Sequence, residues 1–310
     1  MSQILKRIGL SAVTVFGSVT LVFLLVHLIP GDPVDNLLGE QALAVDKDRM
    51  RGALNLDKPL YSQYALFLGD IAGGTLGYSF FRRGETVASM IGERFPKTVI
   101  LSVLAMALAV CIAIPMGVAS ARRKGTAIDG AAMALAMIGA ALPVFFLGPL
   151  LLLVFCKWLG WLPPPAAGDS ARSIILPVVT LGFGMAAILS RLTRASMIEA
   201  LSQDYIVTAR AKGLPERTVV FKHALRNALI PVISVMGLQF GAVLSGAIIT
   251  ERVFAWPGMG TLLIEAIEKR DFPVVQGCIL VVSICYVAVN LATDLVCAAV
   301  DPRMRHGGAR

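Results

Sequence analysis

SMIEALSQDYIVTARAKGLPERTVVFKHALRNALIP, residues 196–231, is a long polar stretch between two apolar ones, and its reading organises the rest of the chain. Its first half has helical spacing, with Met197, Ile198, Leu201, Tyr205, Ala209 and Lys212 three or four residues apart. Gly213 then ends that helix, Pro215 stands near the start of a second one, and Pro231 opens the apolar segment that follows. A connection that only reverses the chain needs a handful of residues. This one runs for about ten helical turns, the length expected of a segment gripped by something outside the membrane.

The membrane is read from composition. Of 310 residues, 56% are hydrophobic and 15% charged, with mean hydropathy +0.76. Soluble domains carry about 25% charged residues, so a water-soluble globule is disfavoured. Six windows, about 8–29, 98–121, 130–156, 173–190, 228–250 and 272–293, approach or exceed the roughly 20 apolar residues that cross a bilayer. None contains Asp, Glu, Lys or Arg, each of which costs about 2.5–3.5 kcal/mol at a helix centre. The reading is an all-α polytopic membrane protein with six transmembrane helices.

Orientation follows from the basic residues of the connections. With the N-terminus in the cytoplasm, segments 1–7, 122–129, 191–227 and 294–310 hold 15 basic and 6 acidic residues. The outside segments hold 13 and 14. The formal charge of +8 is therefore a topology signal, with both termini inside, and no pattern of readout residues points to nucleic acid. Lys6 and Arg7 precede a first apolar run of about 22 residues, too long for a signal-peptide core, and His27 marks its outer end.

Segment 1–97 holds the first span and an outside cap or docking segment, and 98–310 a five-helix core with the cytoplasmic loop 196–227. Within 30–97, helical spacing covers Asp46 to Leu54 and Leu60 to Ile71, Gly73–Gly77 is a turn, and Thr86 to Phe95 offers an amphipathic helix lying on the membrane face. Pro143 and Pro149 kink the third span. Small residues such as Gly117, Gly237 and Gly241 allow close helix approach, as plain packing or as part of a moving pathway. Phe145, Phe146, Gln239 and Gln276 are bulky or polar within spans and stand as candidate pathway residues.

Several chemistries are missing. The five cysteines lack a C-x-x-C spacing and the three histidines are scattered, so no disulfide framework or metal cluster is proposed. There is no Gly-Lys dipeptide, hence no phosphate-binding loop of the G-x-x-x-x-G-K-[ST] type, and no H-E-x-x-H or G-x-S-x-G. Ion-coupled carriers usually bury ionisable groups near the midplane, and these spans carry none there. If the chain transports, an external motor is the economical source of energy.

These features resemble the inner-membrane permease subunit of a bacterial type I ABC importer, of the dipeptide/oligopeptide/nickel group, over nearly the whole length. The resemblance rests on LIPGDP at 28–33, DKPL at 57–60, PVFFLG at 143–148, RLTRASM at 191–197, DYIVTARAKG at 204–213, HALRNALIP at 223–231, ERVFAWPGMG at 251–260, RDFPVVQG at 270–277 and DPR at 301–303. It implies the type I permease fold in a bacterial inner membrane. It also implies a second similar permease, two ATPase subunits and a periplasmic substrate-binding protein, with lipid around the spans. ATP and magnesium would be used by the ATPases, and no cofactor by this chain. The substrate implied is a di- or oligopeptide or a related small peptide such as glutathione. Nickel or a nickel chelate is the alternative within the group, and an ATP-independent secondary carrier the alternative outside it.

By position, the coupling loop of such permeases falls on Asp204, Tyr205, Val207, Thr208, Ala209, Arg210, Ala211, Lys212 and Gly213. Its usual Glu-Ala-Ala is Val207-Thr208-Ala209 here, so the role of the missing Glu does not transfer to Val207. A physical account stands beside this. An apolar ridge of Ile206, Val207 and Ala209 could press into a groove while Arg210 and Lys212 meet an acidic rim.

Overall fold

The computed structural model describes residues 2–28, 31–39, 41–82, 84–164 and 172–300, and these fold into helices with no strand. Ile29 and Pro30 of the LIPGDP match and Asp301–Arg303 lie outside the described residues. In order the helices are α1 (Ser2–Leu28), α2 (Pro33–Leu38), α3 (Ala44–Ala53), α4 (Leu60–Ala72), α5 (Val87–Arg122), α6 (Ala127–Ala141), α7 (Val144–Trp158), α8 (Ile175–Leu201), α9 (Asp204–Ala211), α10 (Glu216–Ser245), α11 (Ile248–Val253), α12 (Met259–Lys269) and α13 (Phe272–Val300). Four of them (α5, α8, α10 and α13) are long and apolar enough to cross a bilayer, α6 and α7 pass that test together, and Ala12–Leu28 of α1 is a shorter apolar stretch.

Two compact units divide the chain. The first holds Met1–Val99 and Pro257–Val287, the second Ile100–Trp256 and the chain from Ala288 onward. The packing of 257–287 within the N-terminal unit is a long-range return that linear order does not display. In the first unit, Val22 and Val26 of α1, Val87, Met90 and Ile91 of α5, and Met259, Leu262, Phe272 and Cys278 form one apolar cluster. Asp271 is buried between α12 and α13, where Ser79 Oγ donates to it at 2.5 Å and Phe80 N at 3.1 Å. Burial raises its carboxyl above the usual range, and those hydrogen bonds partly offset the rise.

The core of the second unit joins Leu101, Ala105 and Ala109 of α5 to Leu181, Met185 and Leu189 of α8 and Val232 of α10. Small residues set the separations. A Cβ added to Gly117 would lie 2.6 Å from Thr193 Cβ, and one added to Gly237 would lie 2.0 Å from Thr293 Oγ1.

Four expectations change. The third apolar stretch is broken, not merely kinked: α6 and α7 meet at 99°. Leu142 precedes a proline and is held extended (φ −79°, ψ 116°), Pro143 follows in the same region, and two extended residues redirect the helix. The Thr86–Phe95 helix is not a separate membrane-surface piece but the start of the 36-residue α5, which passes through Pro96. The helix expected from Met197 to Lys212 breaks at Ser202–Gln203, where Gln203 turns extended (ψ 150°). Pro231 does not open a span; it lies inside α10, which begins at Glu216 right after the N-cap Pro215. A proline inside a membrane helix is tolerated where neighbours re-satisfy the freed carbonyl.

Candidate coupling site

α9 and its flanks form a helical hairpin at one end of the second unit. α8 is 27 residues, about 40 Å at 1.5 Å per residue, which exceeds a hydrocarbon core of about 30 Å. Its polar C-terminal third is thus an extension beyond the bilayer.

The reversal after α9 is a Schellman cap. Gly213 has φ +76°, its N–H donates to Arg210 O at 2.9 Å, and Leu214 N donates to Ala209 O at 3.4 Å. Those bonds satisfy carbonyls that a helix end would otherwise leave open, and glycine takes this conformation without a Cβ penalty. Across the turn the Arg210 guanidinium forks onto Glu216, Nε to Oε2 at 3.1 Å and Nη2 to Oε1 at 2.8 Å. These hydrogen bonds hold the Glu216 carboxyl below its ordinary value. The pair is half-exposed, so it fixes geometry more than it stabilises.

Underneath, Ile206 and Ala209 are buried against Val118 and Ala121 of α5, Met197 and Ala200 of α8, and Val219, Val220 and Ala224 of α10. The expected ridge is thereby corrected: Ile206 and Ala209 point inward, because the three helix ends offer an apolar floor. The outward face carries Tyr205, Val207, Thr208, Arg210, Ala211 and Lys212, beside Asp204 and Gly213. Val207 is an apolar side chain left 60% exposed. A push on this face reaches α5, α8 and α10 through one packed cluster.

A second contact braces the same helices. Asp129, in the first turn of α6, accepts from Arg194 of α8 through Nε at 2.6 Å and Nη2 at 2.7 Å, from Gly125 N at 2.9 Å, and from Ser120 Oγ of α5. The Arg194 hydrogen bonds hold the Asp129 carboxyl well below the usual carboxylate range. Sequence reasoning did not single out this clamp. Its signal was the lone acid of the basic 122–129 connection and the second Arg of RLTRASM.

The four pathway candidates do not form one site. Phe145 and Phe146 are exposed at the start of α7 in the second unit. Gln239 lies on α10 in the same unit, and both its amide atoms are buried with no hydrogen-bond partner among the described residues. Gln276 belongs to the first unit, where it borders a cavity with His27 and Phe272.

Comparison with known proteins bears on both units. A family model described as the binding-protein-dependent transport system inner membrane component matches residues 113–306, and one for the N-terminal membrane component of such systems matches residues 1–102. The chain is 43% identical over 306 residues to the glutathione transport system permease protein GsiC of Escherichia coli O6:H1, covering 99% of each. It is 41% identical over 336 residues to the di/tripeptide transport system permease protein DppB of Pseudomonas aeruginosa, again covering 99% of each. Among solved structures it is similar to a chain of the MetNI methionine ABC transporter in an inward-facing form, with a TM-score of 0.55 at 17% identity over 69% of this chain and 97% of that one. That likeness is one of fold.

Proposed function

The chain belongs to the family of inner membrane components of binding-protein-dependent transport systems, and from that membership we propose that it forms half of the translocation pathway of an ABC importer for small peptides, glutathione among them. It is a multi-pass inner-membrane permease and a transport component rather than an enzyme. The observation that carries the substrate class is full-length identity above 40% to permeases named for glutathione and for di- and tripeptides.

In this reading the chain crosses the membrane six times, by α1, α5, the α6–α7 pair, α8, α10 and α13, with both termini in the cytoplasm. A second similar permease completes the pathway, two ATPase subunits dock below, and a periplasmic binding protein delivers substrate. ATP and magnesium are used by the ATPases, and this chain binds no cofactor. The hairpin Asp204–Gly213 is the coupling element: Tyr205, Val207, Arg210 and Lys212 meet the ATPase, and the buried Ile206 and Ala209 pass its motion to α5, α8 and α10. What supports this is the combination of an exposed apolar residue on the face and a packed floor beneath it. Proteoliposomes holding the co-expressed complex test it. ATP-dependent uptake of labelled glutathione or dipeptide that needs the binding protein is expected, and uptake without ATP or an ATPase would overturn it.

A further inference from the structure

The first unit contains a cavity of about 260 Å³, below the roughly 300–1,000 Å³ of sites for whole small molecules. It is the size for one end of a ligand. Aromatic side chains form part of its wall: Phe23, Phe67, Tyr78, Phe80 and Phe272 border it, with the Phe23 and Phe67 rings stacked at 5.8 Å. One lining residue, Leu76 (φ 58°), takes the left-handed backbone region, which a leucine seldom occupies, whereas Asn55 (φ 56°) takes it as the ordinary residue after the C-cap of α3.

The polar groups are arranged unevenly. Gln63 is fixed, its Nε2 donating to Lys58 O at 2.8 Å and to Leu56 O at 3.4 Å; its Oε1 lies 3.1 Å from His27 Nε2, and His27 Nδ1 lies 2.7 Å from Phe23 O. Asp70 has no such partner. Its carboxylate forms no ion pair or hydrogen bond among the described residues, and burial alone pushes it above the usual carboxylate range. Among the described residues no lysine or arginine lines the cavity, so its acid and its aromatic side chains both favour an incoming cation: carboxylate by charge, ring faces by their quadrupoles.

We propose that this cavity is a subsite for a primary ammonium group, with Asp70 as its counter-ion and the aromatic walls around the attached carbon. The occupant assigned is the amino terminus of a small peptide, an assignment that rests on the function proposed above. The same chemistry could reach the cavity as a lysine side chain of a docking protein.

The test uses the co-purified complex in nanodiscs and a labelled dipeptide, with its N-acetylated form as control. Wild type should bind the free-amine dipeptide roughly tenfold or more tightly than the acetylated one, the scale of one hydrogen bond to a charged group. Asp70→Asn should lose that preference, Asp70→Glu should keep part of it, and KM for ATP-driven uptake should rise with kcat unchanged. If wild type does not distinguish the two dipeptides while transporting either, the subsite is refuted and the transport reading stands. If wild type transports no peptide, the transport reading is what fails. If Asp70→Asn spares peptide binding but weakens capture of the binding protein by a similar factor, the ammonium belongs to the docking protein and the peptide assignment is overturned.

Discussion

Replacing Gly213 isolates the backbone requirement of the coupling hairpin. Its φ is +76°, and a Cβ built there would meet nothing within 4 Å. Crowding therefore contributes nothing, and the whole effect of Gly213→Ala is the left-handed conformation, about 1–2 kcal/mol for an L-residue. That corresponds to a factor of about 5–30 in the population of the formed turn. Asn tolerates this region better than Ala, while a β-branched residue tolerates it worse and proline cannot adopt it. The expected order of ATP-driven uptake is therefore Gly, then Asn, then Ala, then Val, with Pro lowest, at equal membrane abundance. Uptake and ATPase activity of the reconstituted complex would be measured for all five. Wild-type behaviour of the Ala and Val proteins, or an Asn protein worse than Ala, would refute the Schellman turn as the origin of coupling geometry.

Other outcomes follow from contacts elsewhere. Removing Arg194 leaves Asp129 without its fork, so Arg194→Ala should lower the thermal midpoint of the complex, and the reversed pair Asp129→Arg with Arg194→Asp should recover part of it. Because the folded Asp129 carboxyl titrates below its unfolded value, the pair's contribution is complete above about pH 5 and is lost only as pH falls through the lower folded value. The wild-type minus Arg194→Ala difference in midpoint should then stay level from pH 7 to about pH 5 and shrink below about pH 4. Gln239→Leu removes two buried, unpaired amide atoms, which should stabilise the isolated chain by about 1 kcal/mol; a lower unfolding midpoint would show that the amide is paired. Gly237→Ala forces a Cβ against Thr293 and should cost about 1–3 kcal/mol, read as a lower midpoint.

The all-helical membrane class was legible because its signals are local. Uncharged apolar windows announce the spans, and the helices α3 and α4 stand where spacing placed them. Gly213 and Pro215 were read at their places because a left-handed C-cap and a helix-opening proline are single-residue signatures. Prolines inside apolar runs were read less well. Pro143 ends a helix behind the extended Leu142, whereas Pro96 and Pro231 lie inside continuous helices, and the apolar pattern around each proline does not tell the two cases apart. The inward turn of Ile206 and Ala209 depends on where three other helix ends lie, which periodicity over eight residues does not contain. The Asp129–Arg194 clamp joins positions 65 apart and has no local pattern. The cavity beside Asp70 is likewise assembled from α1, α4 and α13.

Photo-cross-linking from position 207 tests the central claim most directly. A photoreactive residue at the exposed Val207 face, activated in native membranes, should capture an ATPase subunit, and the yield should change when ATP is bound or hydrolysed. The same probe at Tyr78, in the segment assigned to the opposite side of the membrane, should not capture the ATPase. No ATPase adduct from position 207 in a complex that still transports would contradict the assignment of Asp204–Gly213 as the coupling element.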